Sequence, residues 1–285
     1  MNDREINLYQ QERDAIAFLG LGSFLFQHWD SPNQIWPGIN NVAHSTGLNI
    51  AALVIDNSDS EVLALERNAI HSLCNPLEHA EVRAIRTALD RLKQKRPKPD
   101  HISIEDYYIN HLFYREGKHP TDYLTQGCTL VTTLEPCPMC TATICVCRMK
   151  RTVFIIDDAT FGGSFYGNHG GAQRGIKNNY YSTYDLEYAY LKFDARDGEI
   201  ISAAQRILND IRRKVGRSDS DSLRGRHVYD TLVFDHLRDD LFAINNYFQS
   251  LDEPSSLASG VTYKSNLRML IDLKTRCGDV LTSLE

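Results

Sequence analysis

The sequence of 285 residues lacks any apolar run of the roughly 18 residues that a transmembrane helix needs. The most apolar early stretch, residues 15–26, is short, follows acidic residues and has no basic leader, so we expect no signal peptide. Its hydrophobic content of 42% and charged content of 24% are those of an ordinary globular protein. We therefore expect a cytoplasmic protein with no membrane partner.

The sequence also lacks a basic excess, since its formal net charge is −6. This excludes a generic nucleic-acid-binding domain, so any RNA contact must come from local patches. Two basic runs are candidates, although such runs more often form solvated helix ends. They are Arg91, Lys93, Lys95, Arg96 and Lys98, and Arg212, Arg213, Lys214, Arg217, Arg224 and Arg226.

Cysteine is too sparse and too unevenly spaced for a disulfide scaffold. There are seven cysteines, an odd number, in a long chain, so reduced thiols are expected. Two of them, Cys137 and Cys140, form a C-x-x-C pair. A zinc ribbon would need a second such pair, and Cys145 and Cys147 have the wrong spacing for one.

The first part of the chain alternates between helical and strand patterns, which predicts a layered α/β sheet. Turn residues at 56–60 separate two short apolar runs and indicate a β-hairpin. In chain order we predict a helix at 4–28, strands at 49–55 and 61–66, a helix at 79–92, a strand at 128–133, a helix at 137–147 and a strand at 152–156.

The pattern changes after Asp158. Glycine and asparagine at 161–179 predict a loop, and residues 186–193 predict a further strand. Helical patterns follow near 197–215, 227–250 and 263–283. We therefore predict two parts, an α/β domain at 1–195 and a helical C-terminal region at 196–285.

Two short segments carry residue types suited to metal chemistry. One contains His79 and Glu81, and the other contains Cys137 and Cys140. Cysteines three residues apart at a helix start share one face, and the helix amino terminus favours the thiolate that binds metal. With the imidazole of His79 added, the set favours Zn²⁺.

Three protein ligands leave one position of a tetrahedral zinc ion open to water, as catalytic zinc sites do. The two thiolates cancel the charge of the ion, and the imidazole is neutral. Such a zinc ion acidifies water less than one bound by three histidines, so it needs a base beside it. Glu81 is too close in sequence to His79 for a comfortable fellow ligand. We interpret it as the general base that transfers the protons.

These segments resemble a known family. H-x-E followed by P-C-x-x-C is the signature of zinc nucleobase deaminases, and residues 79–81 and 136–140 match it. Residues 133–140 are most similar to the branch of tRNA adenosine deaminases and guanine deaminases, and residues 151–158 resemble the strand that follows there. The resemblance covers roughly residues 5–165.

The resemblance implies the cytidine-deaminase-like fold, a three-layer α/β/α arrangement with a mixed five-stranded sheet. It also implies a hydrolytic deaminase that releases ammonia from an amino-bearing nucleobase, with Zn²⁺ as cofactor and aminopurines favoured over cytosine. Asn68 stands where the family keeps a substrate-contacting asparagine, and Ala80 is the second expected substrate contact.

The chain departs from this branch in three places. An insertion at about 93–126 lengthens the spacer before the cysteines, residues 141–143 replace a run of smaller residues, and the helical C-terminal region has no counterpart. We expect a homo-oligomer, with the C-terminal region as a candidate interface.

Three functions remain open. The acidic charge balance and an insertion able to close a pocket favour a small substrate, namely a base, nucleoside or nucleotide. An RNA-editing deaminase would need a basic groove beside the zinc, for which the basic runs are the only support. A non-catalytic zinc module that binds a partner would have no need of Glu81.

Overall fold

The computed structural model describes residues 3–30, 46–95, 124–156, 158, 187–193, 198–216, 235–251 and 264–278. The predicted insertion at 93–126, the loops at 31–47 and 161–179, and the boundary near 195 fall wholly or mostly outside these residues. The division of the chain at residue 195 therefore stays a prediction. No helix in the described part is long and apolar enough to cross a bilayer.

The described chain contains six α-helices and five strands in the predicted order. They are α1 (Asp3–Gln27), β1 (Ala51–Asp56), β2 (Val62–Arg67), α2 (Ala80–Lys95), β3 (Cys128–Leu134), α3 (Pro138–Val146), β4 (Arg151–Ile156), β5 (Glu187–Tyr190), α4 (Glu199–Gly216), α5 (Asp235–Ser250) and α6 (Lys264–Gly278). A single 3₁₀ turn, Leu124–Gly127, leads into β3 and was not predicted.

The strands form one mixed sheet in the order β2-β1-β3-β4-β5. Strand β1 is antiparallel to both β2 and β3, whereas β3, β4 and β5 run parallel. The hairpin between β1 and β2 is closed by Asp56, whose carboxylate accepts hydrogen bonds from the backbone and hydroxyl of Ser58. The predicted α/β fold with a mixed five-stranded sheet and C-terminal helices is confirmed.

All six residues of β1 are buried, although neighbouring side chains of a strand point to opposite faces. Both faces of the sheet are therefore covered by helices. Helix α2 packs on β2 and β1, beside α3, and α1 packs on β1 and β3 on the other face. The parallel strands β3 and β4 end at the same edge of the sheet. That edge leads directly into the segment containing Cys137.

Helix α1 was predicted to have one apolar face, but every residue from 11 to 23 is buried. The reason is that α4, α5 and α6 pack against its outer side, so the helix lies between the sheet and the C-terminal helices. Two glycines permit this contact. A Cβ on Gly20 would lie 2.7 Å from Leu273 Cδ1, and one on Gly22 would lie 2.9 Å from Ile244 Cγ2.

Candidate metal centre

Two helix starts present the three donor residues. His79 directly precedes α2 and its carbonyl accepts the first helical hydrogen bond, from Arg83 N at 3.0 Å. Cys137 precedes α3 in an extended conformation, and Cys140 lies in the first turn of that helix. Pro138 occupies the first helical position, where its missing N–H costs nothing and its fixed φ suits the helix.

The three donor atoms converge. His79 Nδ1 lies 3.7 Å from Cys137 Sγ and 3.5 Å from Cys140 Sγ, and the two sulfurs are 3.6 Å apart. A tetrahedral zinc ion with ordinary bond lengths places two sulfurs about 3.8 Å apart and a sulfur and a nitrogen about 3.5 Å apart. The donor set therefore fits zinc in both chemistry and spacing.

The charge state of the metal-free site follows from these contacts. The hydrogen bond from Cys140 is the main reason that the pKa of Cys137 falls to about 4, and His79 adds to it. The same hydrogen bond and burial raise the pKa of Cys140, and the hydrogen bond to Cys137 raises the pKa of His79. Zinc binding needs Cys140 as a thiolate and His79 as a neutral imidazole, so metal affinity at this site should depend on pH.

Glu81 lies beside these donors in the first turn of α2. Its side chain is buried, with the whole residue 4% exposed, and its Oε2 is 3.5 Å from Cys140 Sγ. Desolvation raises the pKa of Glu81 to about 7 in the metal-free site. A carboxyl group that titrates near neutrality can both accept and return a proton at physiological pH.

The two expected substrate contacts lie next to this group and are not part of it. Ala80 is fully buried between His79 and Glu81. Asn68 is also fully buried, and its Oδ1 accepts hydrogen bonds from Leu48 N and Ile70 N, both at 3.2 Å. Among the described residues its Nδ2 has no hydrogen-bond partner, which leaves a buried donor available to a ligand.

Among the described residues, the donor group contains no other cysteine or histidine. Cys145 is buried in α3 and Cys147 ends that helix, so neither belongs to the group. His71 donates its backbone N–H to Thr46 O. His119 and His169 lie outside the described residues.

Two charged clusters near the site were not predicted. Arg67, at the end of β2, binds Asp30 Oδ2 at 2.8 Å and Gly47 O at 3.4 Å. Glu78, beside His79, is bound by arginines of α2. A charged residue next to a metal-ligand motif is the signal that could have drawn attention to Glu78. Its arginine partners could not be identified among many surface charges.

The sequence of this region matches a described family. Residues 39–156 match the cytidine and deoxycytidylate deaminase zinc-binding region. The match spans both donor segments and Glu81, which confirms zinc as the cofactor of this region.

One relative is the tRNA-specific adenosine deaminase of Aquifex aeolicus (strain VF5). It is 27% identical over 114 residues, which are 40% of this chain and 56% of that enzyme. The chain therefore matches little more than half of the length of this relative.

Solved structures give distant likenesses. A structure from a study of A-to-I editing by tRNA:A34 deaminases is 21% identical, with 50% of this chain and 78% of that chain covered and a TM-score of 0.32. Guanine deaminase from Nitrosomonas europaea is 17% identical, with 57% and 71% covered and a TM-score of 0.29. These values are too low to carry a substrate over to this chain.

The family match covers residues 39–156, which include the three donor residues and four of the five strands. This part of the chain therefore resembles the cytidine-deaminase-like superfamily of zinc deaminases.

Proposed function

We propose that this chain is a zinc-dependent hydrolytic deaminase that releases ammonia from an amino-bearing nucleobase. The substrate is a free base, nucleoside or nucleotide, with an aminopurine favoured over cytosine. The observation that carries the proposal is the buried carboxylate of Glu81 beside the convergent donors of His79, Cys137 and Cys140. A purely structural zinc site has no use for such a carboxylate.

In this proposal His79 Nδ1 and the two sulfurs hold the metal. Zinc, when bound, supplies an acidified water as the nucleophile for an amine-bearing ring carbon. Glu81 accepts a proton from the attacking water on its carboxylate. It donates this first proton to a ring nitrogen of the substrate. It then accepts the second proton of the water, from the hydroxyl now on the ring carbon, and donates it to the amine, so that the C–N bond breaks and ammonia departs.

Asn68 binds and orients the substrate. Its Oδ1 is fixed by two backbone N–H groups, so its unpartnered Nδ2 is held in one direction and can donate to an acceptor on the ligand. Ala80, at the start of α2, adds a helix-terminal backbone N–H to the same region. A donor fixed in this way selects substrates that offer an acceptor and rejects those that do not.

The first basic run gives little support to an RNA substrate. Arg91 donates to Val62 O, Lys93 pairs with Asp90, and Lys95 lies 2.7–2.9 Å from the carboxylates of three acidic residues of the hairpin. Lys95 is also at the far end of α2, about 22 Å along the helix from Ala80. Among the described members of this run, Lys93 and Lys95 are paired with carboxylates and Arg91 is bound to a backbone carbonyl. The other two members lie outside the described residues.

Two members of the second run, Arg212 and Arg213, have partners as well, and the side chains of the other four lie outside the described residues. Arg212 donates to Ile155 O at 3.0 Å and stacks over the ring of Tyr190, and Arg213 pairs with Asp210 at 2.7 Å. A polyanion needs a concentrated and accessible patch of positive charge. Within the described residues, this favours the small substrate over RNA.

The preference for an aminopurine rests on the cysteine segment and on the adenosine deaminase relative.

None of the seven cysteines, all of which lie in the described residues, is disulfide-bonded. Unpaired cysteines are typical of a reducing compartment, so we keep the cytoplasm as the proposed location. Self-association into a homo-oligomer stays a prediction, to be measured by light scattering.

Ammonia release from a substrate panel tests the proposal. Zinc-loaded protein is incubated with adenine, guanine and cytosine as bases, nucleosides and nucleotides, and with unmodified tRNA. Turnover of a small compound is the expected result. Turnover of tRNA alone would transfer the assignment to RNA editing, and no ammonia from any compound, with zinc bound, would contradict a nucleobase deaminase.

A further inference from the structure

The carboxylate of Glu78, the residue before His79, is unusually well bound for a side chain outside the donor set. Glu78 is 5% exposed, and three side chains donate to it: Asn75 Nδ2 at 3.1 Å, Arg83 Nη1 at 3.2 Å and Arg86 Nη1 at 3.1 Å. A buried carboxylate is stable only when it is paired and hydrogen-bonded. All of these donors lie in the preceding loop or on α2.

The backbone of Glu78 is fixed too. Its N–H donates to Asn75 O at 3.2 Å, and its carbonyl accepts from Ala69 N at 2.9 Å. Two residues of the loop between Asn68 and His79, Ala69 and Asn75, are therefore hydrogen-bonded to the backbone of Glu78. Rotation of the Glu78 backbone would break hydrogen bonds at two points of the loop.

The network also reaches the sheet. Arg83 binds Glu66 Oε2 at 2.9 Å through its second terminal nitrogen, and Thr87 donates to Glu66 Oε1 at 2.8 Å. Glu66 lies in β2 and Arg83 in α2, so Glu78 is connected through Arg83 to two elements of the core. The Glu66 contacts join the first two turns of α2 to β2 and involve no residue of the loop that precedes His79.

The cysteines need no comparable support. Both lie at the start of α3, where Pro138 fixes the backbone and Thr141 Oγ1 donates to Pro136 O at 3.2 Å. Their sulfur–sulfur distance is therefore set within one helix. His79 comes from a different segment, so the two nitrogen–sulfur distances depend on where the backbone at Glu78 and His79 is held.

We propose that Glu78 is a positioning residue for the metal site, which holds His79 at the distance from Cys137 and Cys140 that zinc requires. The inference rests on the proposed function only in taking His79 as a ligand. It assigns to Glu78 no contact with metal or substrate. Metal affinity, and not protein stability alone, should depend on its carboxylate.

The test compares Glu78→Gln with Glu66→Gln. Both remove one negative charge from a side chain bound to Arg83, but only the first weakens the contacts of the loop before His79. Zinc affinity is measured by competition with a chromogenic chelator, and the site geometry by the visible spectrum of the cobalt-substituted protein. We expect Glu78→Gln to weaken zinc binding by about 10–100-fold, as the loss of an outer-shell partner does, with an altered cobalt spectrum. Glu66→Gln should bind zinc as the wild type does.

A milder variant covers the case in which Glu78→Gln does not fold. Arg86 is largely exposed, so Arg86→Met removes one donor from Glu78 with little risk to the core. It should weaken zinc binding in the same direction and by a smaller factor. Unchanged affinity in the folded variants, or an equal loss in Glu66→Gln, would overturn the proposal.

A third variant separates this inference from the ligand assignment. His79→Ala should lose zinc binding far more severely than Glu78→Gln. If His79→Ala retained the wild-type affinity, the ligand assignment would be wrong, and the role of Glu78 would fail with it. If His79→Ala lost zinc while Glu78→Gln bound it normally, only the role of Glu78 would be wrong.

Discussion

The helix layers on the two faces of the sheet bury polar groups in different ways. Beside α2 and α3, the groups of His79, Cys137 and Cys140 converge at the spacing of metal donors, and Glu81 lies beside them. Beside α1, oppositely charged groups are paired with each other, as Asp14 and Arg151 are at 2.8 Å. Convergence of donor groups with a buried carboxylate indicates chemistry, whereas ion pairing indicates a contribution to the fold.

The same contrast appears where the C-terminal helices meet α1. Tyr9 Oη is bonded to both Ser60 and Ser265, and Ser23 donates to Asn245 at 2.8 Å. These bonds join α1 to the hairpin and to the C-terminal helices. The comparison predicts that changes beside α2 and α3 alter metal binding and turnover, while changes beside α1 alter stability.

Removal of a donor should have the largest effect. Cys140→Ser replaces a buried thiol in the donor set with a hydroxyl, which is a poor zinc ligand at neutral pH. We expect loss of bound zinc and of ammonia release, with the secondary structure retained. Zinc content by atomic absorption and circular dichroism check this, and Cys145→Ser, in the same helix but outside the donor set, is the matched control.

Removal of a buried charge partner beside α1 should cost the most stability. Arg151 bonds to Asp14, which is buried, and also to Glu187 at 2.9 Å. Among the described residues, Arg151→Met leaves Asp14 with Arg13, at 4.0 Å, as its remaining ion-pair partner. We expect the free energy of unfolding to fall by about 3–5 kcal/mol in urea titrations. An equal loss of zinc affinity in the folded variant would contradict the separation of the two layers.

The pH dependence of stability should report on Glu12. Burial raises the pKa of this residue in α1 from 4.5 to about 7, partly opposed by a hydrogen bond with Asn266. The unfolded chain then loses the proton at lower pH than the folded one, so the stabilisation present below pH 4.5 is lost as the pH rises through 7.

The size of this effect is up to about 3 kcal/mol. Glu12→Gln should therefore be less sensitive to pH than the wild type and more stable at pH 8. Urea titrations of both proteins between pH 5 and 8 give the difference in their free energies of unfolding. The contributions of the other titrating groups cancel in this difference. Parallel curves for the two proteins would show that Glu12 titrates normally in the folded state.

The smallest effects are expected at the glycines of α1. Gly22→Ala brings a methyl group against the branched Ile244, and Gly20→Ala brings one against the end of the more flexible Leu273. We expect losses of about 1–3 kcal/mol, larger for Gly22→Ala, with zinc affinity unchanged. Thermal unfolding of both variants gives the order, and the reverse order would contradict the packing described for α5 and α6.

Local patterns were enough to predict much of this molecule. Helix and strand patterns predicted the order of the elements. The sequence motifs predicted His79, Cys137 and Cys140 as a donor group, and the structure brings these three residues together. Both depend on residues close in sequence. In the donor segments, the chemistry of the residue types leaves few alternatives.

Contacts between distant segments could not be predicted. The burial of α1 on all sides depends on Leu273 and Ile244, which are far along the chain and carry no signal of their partner. The hydrogen bonds to the Glu78 carboxylate come from two of many arginines, Arg83 and Arg86, and the sequence does not show which arginines lie beside it. Element ends within the described residues also shifted by one to three residues. At the start of β1 the reason is that Asn49 bonds to the backbone of Asp30 and does not join the strand.

The central claim is that Glu81 moves protons at a zinc site that His79, Cys137 and Cys140 form without it. The most direct test measures zinc content and ammonia release in the same samples of wild type and Glu81→Gln. The account predicts one zinc per chain in both, with turnover lower by at least about 100-fold in the variant. Comparable turnover in the two proteins, or loss of zinc from Glu81→Gln, would contradict it.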